Sequence, residues 1–134
     1  SINELCQLMH NFYAKHQLNK RQKQMFEREH RPKVAISAFD AHNAFIRNVV
    51  ELVSLHDIKG RIAMEGALPY PPGVYCIVPG EVWDGAVLDY FLALQEGVNR
   101  LPGFEPEVQG AYWEYDDQGK KVAYAYVLKQ SHQI

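Results

Sequence analysis

The stretch LPYPPGVYCIVPGE, residues 68–81, holds four of the chain's seven prolines. Each proline fixes its own φ at about −65° and gives up a backbone donor. Each also pushes the residue before it toward extended geometry. LPYPPG is therefore expected to be a stiff, non-helical loop, with Tyr70 held between prolines and its hydroxyl at a fixed place. Val74–Val78 reads as a short apolar strand, and Pro79-Gly80-Glu81 as a turn into a helix. Glu81 is placed at that helix's N-terminus, where the dipole favours a carboxylate.

The hydrophobic spacing on either side supplies the other elements. Ile2, Leu5, Cys6, Met9, Phe12 and Tyr13 form a helical stripe with Ser1 available as N-cap and Glu4 three residues on. Leu18, Met25 and Phe26, set among Lys, Arg, Gln and Glu, predict a second, mostly solvated helix that stops before Pro32. Its apolar face is thin, so its partner is expected outside this chain. Val34 and Ile36 read as extended, and Ser37 with Asp40 reads as the cap of a helix through Ala41, Phe45 and Ile46. Val49–Leu55 reads as a strand that turns through HDIKG to pair with Arg61–Glu65 as a hairpin.

Downstream, Trp83, Val87, Tyr90, Phe91, Leu94 and Val98 mark a helix that ends near Leu101-Pro102-Gly103. Val122, Tyr124, Tyr126 and Leu128 alternate along a strand, with residues 110–115 as its partner across DDQGK. Helices and antiparallel hairpins in mixed order predict an α+β fold in one compact domain spanning residues 1–134. Residues 1–31 read as a helical lead-in and 32–134 as the main body.

Fourteen basic and sixteen acidic side chains give a formal charge of −2, which supplies no electrostatic drive toward nucleic acid or an anionic membrane. No apolar run reaches the roughly 18–20 residues of a bilayer span, and a cytoplasmic location is expected. Cys6 and Cys76, on separate apolar elements, read as buried reduced thiols. Neither a P-loop nor a G-x-G-x-x-G occurs, the six histidines do not form the helical H-E-x-x-H arrangement of metalloproteases, and no serine sits in a G-x-S-x-G elbow. No catalytic or metal-ligating set can be named. Tyr70 and Glu81 remain as candidates, each with a purely structural alternative: packing of the proline loop for one, satisfaction of a helix start for the other.

The segments ALPYPPGVYCIVPGEVW and YFLALQEGVNRLPGFEPEVQGAY carry the blocks P-Y-P-P-G, P-G-E, L-P-G-F and Q-G-x-Y. With these, residues 1–128 resemble the C-terminal domain of the bacterial ornithine, lysine and arginine decarboxylases, and the wording ALPYPPGV and EGxNxLPGF is closest to the ornithine enzymes. The resemblance implies a pyridoxal-phosphate enzyme that converts L-ornithine to putrescine and CO2. As partners it implies the remaining cofactor-binding domains of the same polypeptide and a homo-oligomer with active sites between subunits. The family's cofactor lysine follows a histidine in a Ser-x-His-Lys block. Here lysines 15, 20, 23, 33, 59, 120, 121 and 129 follow Ala, Asn, Gln, Pro, Ile, Gly, Lys and Leu. This chain is therefore expected to bind no cofactor and to be inactive alone, with the proline loop walling a substrate channel or an interface through Tyr70 and Glu81. The alternative is a stand-alone module that binds a partner or small molecule through the proline loop.

Overall fold

The computed structural model describes residues 2–70 and 73–130, and of residues 13–16 and 70 the backbone only. Helices α1 (Ile2–His16), α2 (Leu18–Met25) and α3 (Ala38–Ile46) precede strands β1 (Val50–Ser54) and β2 (Leu68–Tyr70). Helix α4 (Gly85–Arg100) is followed by β3 (Glu107–Gln109), β4 (Tyr112–Tyr115) and β5 (Lys121–Leu128). One sheet runs β1-β5-β4 and a second pairs β2 with β3, all antiparallel. The α+β class is as expected. Ser1, read as the cap of α1, lies outside the described residues.

Strand β5 has eight residues, and no neighbouring strand covers its whole length. On one flank β1 pairs residues 124–128, from Ser54↔Tyr124 to Val50↔Leu128. Leu55 extends that pairing by donating to the Ala123 carbonyl at 3.0 Å. Beyond that point two side chains of α4, one helical turn apart, take over. Gln95 Oε1 accepts from the Ala123 N–H at 2.8 Å, Asn99 Oδ1 accepts from the Lys121 N–H at 2.7 Å, and Asn99 Nδ2 donates to the Lys121 carbonyl at 2.8 Å. On the other flank β4 pairs residues 121–124, and the segment around Met64 continues from there. Met64 donates to the Tyr126 carbonyl and Leu128 to the Ile62 carbonyl. Ala123, Ala125 and Val127 face the main core beneath α4, and their small size suits close approach of the helix. Tyr126 and Leu128, on the other face, pack with Ala41 and Ala44 of α3.

Several expectations are corrected here. Residues 61–65 do not form a hairpin with β1. The pairing partner of β1 is β5, more than sixty residues downstream, and Ala63 makes a single bridge to Val127 on the opposite flank. The HDIKG segment cannot fold back on β1 because Ile58 is drawn fully into the core. Val74–Val78 is not a strand: Ile77 alone bridges, to Ala67, while Val74, Tyr75 and Val78 are exposed. LPY is a paired strand rather than a loop, since Tyr70 lies opposite Glu107.

Helix α4 starts later than expected. Asp84 is its N-cap, accepting from the Gly85 N–H at 2.7 Å, so Glu81 is not at the helix start. Trp83 precedes the helix and packs edge-on to Phe91 with ring centroids 5.3 Å apart. Its buried Nε1 has no partner among the described residues. Helix α2 finds its partner within the chain, because Met25 is completely buried in the core beside α4. The exposed stripe belongs to α1 instead: Ile2, Leu5 and Met9 lie open, Phe12 is buried, and Cys6 is exposed rather than buried. The α3 cap is as expected, with Ser37 Oγ accepting from the Asp40 N–H at 3.0 Å.

Gly110, at φ +83°, abuts the chain entering β2, and a Cβ there would lie 2.1 Å from the Gly66 carbonyl oxygen. Gly119, in the β4–β5 turn at φ +79°, faces open space. Gly110→Ala is therefore expected to cost more than 2 kcal/mol, and Gly119→Ala only about 1–2 kcal/mol from the left-handed backbone. Urea unfolding of the two variants checks this; equal losses would contradict the close approach.

Candidate functional site

Glu81 is buried, and its place in the fold explains why. The Pro79-Gly80-Glu81 turn is threaded between two other segments. Gly80 donates to the Ala63 carbonyl and accepts from the Ala35 N–H, while Ala63 donates to the Glu81 carbonyl. A Cβ at Gly80, φ +96°, would meet the Ile36 carbonyl oxygen at 2.2 Å, so only glycine fits. Within this turn Glu81 Oε1 accepts from the Val78 N–H at 2.8 Å and stands 3.9 Å from Arg31 Nη2. Arg31 in turn lies over the Phe26 ring, 5.7 Å from its centroid. The Glu81 carboxylate thus closes a turn and balances a guanidinium, and an incoming ammonium group would have to compete with Arg31.

Tyr70 ends β2, where its backbone pairs with Glu107. Its side chain lies outside the described residues. Residue 69 beside it lines a cleft of about 400 Å³ between α2, α4 and residues 103–106. A larger cleft, about 550 Å³, lies between α4 and the β4–β5 hairpin and carries Arg100, Lys120 and Lys121. Gln95, on its floor, is 5% exposed. Because its oxygen is held by Ala123, its amide nitrogen faces His56 Nε2 at 2.8 Å. His56 Nε2 is therefore the acceptor, and the neutral ring carries its proton on Nδ1.

Two further polar pairs escaped the sequence reading because their partners are distant in sequence. Arg61 bonds both Glu51 and the Leu128 carbonyl, tying β1 to the end of β5. The hydrogen bond from Arg61 holds the Glu51 carboxyl below its usual range. Tyr112 donates to Glu65 at 2.7 Å, and this carboxylate, with some burial, pushes the phenol up to about 12. Burial pushes the Cys76 thiol up to about 12 as well, which leaves it protonated and unreactive at neutral pH.

Comparison with known proteins now bears on this geometry. Residues 19–129 match the family described as Orn/Lys/Arg decarboxylase, C-terminal domain. The chain belongs to that family. The inducible ornithine decarboxylase of Escherichia coli (strain K12) is 56% identical over 129 residues, covering 96% of this chain and 18% of the relative. The constitutive ornithine decarboxylase of the same organism is 57% identical with the same coverage. Among solved structures, that of the E. coli constitutive lysine decarboxylase superposes with a TM-score of 0.74 at 32% identity, covering 90% of this chain and 16% of that one. The chain thus spans under a fifth of the length of these relatives.

The blocks that carry the family resemblance acquire physical roles. P-Y-P-P-G contributes β2, which pairs with the strand opening Q-G-x-Y. P-G-E is the threaded turn at Gly80 and Glu81. In EGVNRLPGF, Asn99 holds Lys121, while Phe104 packs against Gly97, where a Cβ would lie 3.1 Å from the ring. None of these roles involves a reacting group.

The Tyr112 contact has a measurable consequence. Tyr112 is raised in the folded chain, so the stabilisation from its bond to Glu65 is fully present below the ordinary tyrosine value near 10 and is lost as pH climbs through about 12. In Glu65→Gln the Tyr112 titration, followed by tyrosinate absorbance, is expected to fall back toward 10. An unchanged titration would show that the carboxylate is not its cause.

Proposed function

We propose that this chain is the C-terminal part of a pyridoxal-phosphate ornithine decarboxylase, which converts L-ornithine to putrescine and CO2, and that it serves assembly and the shape of the active-site entrance. The observation that carries this reading is the contrast in identity: 56% and 57% to two ornithine enzymes against 32% to a lysine enzyme of the same fold.

Pyridoxal phosphate, when bound, supplies an electron sink for the carbanion left by the departing carboxylate. The residues present do not fit it. A cofactor-linked lysine needs a desolvated site that lowers its pKa, whereas the lysines described here are exposed except Lys121, which is half-buried with its ammonium 5.8 Å from the centre of the Tyr115 ring. The covalent chemistry is therefore assigned to other parts of the polypeptide, and no step of it is routed through this chain.

What this chain offers instead is rigidity and exposed apolar surface. Ile2 on α1 is 80% exposed, and Phe39 and Ile46 on α3 are 73% and 68% exposed. Large apolar side chains left open in this way suit burial against a neighbour. In the assembled enzyme, Glu81 keeps the P-G-E turn in place, and the end of β2 at Tyr70 is assigned to the substrate entrance or the adjoining subunit.

In the full-length enzyme, Tyr70→Phe and Glu81→Gln are expected to raise KM for ornithine severalfold or to weaken subunit assembly, with kcat nearly unchanged. Steady-state kinetics with sedimentation of the same preparations checks this. Unchanged kinetics together with unchanged assembly would remove both residues from function. A native polypeptide no longer than these 134 residues would overturn the decarboxylase reading itself.

A further inference from the structure

The cleft beside β2 has a composition that points to a ligand class. Its walls are apolar: Leu18 from α2, Leu94 from α4, Pro69 from β2, and Phe104 and Pro106 from the segment that follows α4. Glu105 is the one charged residue among those lining it, and the remaining polar groups are the neutral side chains of Asn19, Gln22 and Tyr90. A volume of about 400 Å³ lies within the range of small-molecule sites. The larger cleft across α4 differs in kind, being edged by charges of both signs, Arg100, Lys120 and Lys121 with Glu96 and Asp116.

Tyr90 gives the floor its direction. The residue is 4% exposed, and its hydroxyl oxygen accepts from Gln22 Nε2 at 3.3 Å. Its own proton therefore points away from Gln22, and no acceptor for it is present among the described residues. Burial, with the nearby Cys76 sulfur adding to it, raises the Tyr90 phenol against the opposing bond from Gln22, so the group remains a donor at neutral pH. A buried hydroxyl donor over an apolar wall, with a single carboxylate at the solvent edge, accommodates a molecule that is cationic at one end, aliphatic in the middle and hydrogen-bond accepting at the other.

We propose that this cleft binds a small linear aliphatic ammonium compound, its methylenes against Leu94, Phe104 and the two prolines, its cation at Glu105 and a polar tail at the Tyr90 hydroxyl. The P-Y-P-P-G and L-P-G-F blocks meet here, because β2 supplies one wall and the turn after α4 the other. The site is independent of the decarboxylase reading, since it needs neither the cofactor nor any other part of the polypeptide.

The test is a titration of the isotopically labelled 134-residue protein at neutral pH with ω-amino alcohols from 3-amino-1-propanol to 6-amino-1-hexanol. n-Butylamine and butyrate serve as comparisons, and backbone amide shifts are followed by NMR. At least one amino alcohol is expected to give saturable shifts at residues 19, 22 and 103–105 and to bind more tightly than n-butylamine, with butyrate giving none there. Glu105→Gln, on the exposed edge, is expected to weaken amino-alcohol binding at least fivefold. Tyr90→Phe, which keeps the ring, is expected to abolish the advantage over n-butylamine. Butyrate binding as well as the amines, an unaffected Glu105→Gln variant, or no saturable shifts at those residues would each overturn the proposal.

Discussion

The Gln95 and Asn99 side chains of α4 do the work of a missing strand. Strand β1 ends before β5 does, and the backbone groups left over at Lys121 and Ala123 would otherwise lack partners on that flank. An unmade bond at a buried amide such as that of Ala123 costs about 1–3 kcal/mol, so at least this position must be covered. Residues four apart on a helix share one face, and two amides at that spacing meet both leftover positions. The pair fixes the register of α4 over the sheet. With α4 placed, Trp83, Phe91 and the small residues of β5 close into one core.

The same economy governs the turns. Gly80 and Gly110 are sites where two backbones touch, so the segments they join cannot shift independently. Glu81 and Arg61 add polar ties between parts of the chain that are far apart in sequence. This yields a stiff body in which the family's sequence blocks are occupied with holding the fold. Such a body can brace whatever packs against it, since positioning depends on rigid support.

Much of this was legible in the sequence because it rests on local rules. The α3 cap, the periodicity of α4 and the β4–β5 hairpin each depend on residues within a turn or two of one another. The misreadings share a cause. The pairing of β1 with β5 and the partnership of α2 with α4 are set by long-range burial, and nearest-neighbour reasoning assigned β1 to residues 61–65 because they were close in sequence. Glu81 was placed on a helix because P-G-E resembles a helix start, whereas Asp84 supplies a better cap three residues later. Gln95 carried a signal that went unread: a polar residue on the buried side of an otherwise apolar stripe must have a partner. Cys6 and its neighbours show the converse, since a helical stripe predicts an apolar face but does not say what covers it.

The most direct measurement is native-state amide hydrogen exchange at Ala123 and Lys121, in the parent protein and in Asn99→Ala. If α4 side chains complete the flank of β5, both amides are protected to within about tenfold of the strand-paired Leu55 amide, and Asn99→Ala strips protection from Lys121 while leaving Leu55 unchanged. Exchange of Lys121 and Ala123 in the parent protein as fast as the turn amide of Asp117 would contradict the account.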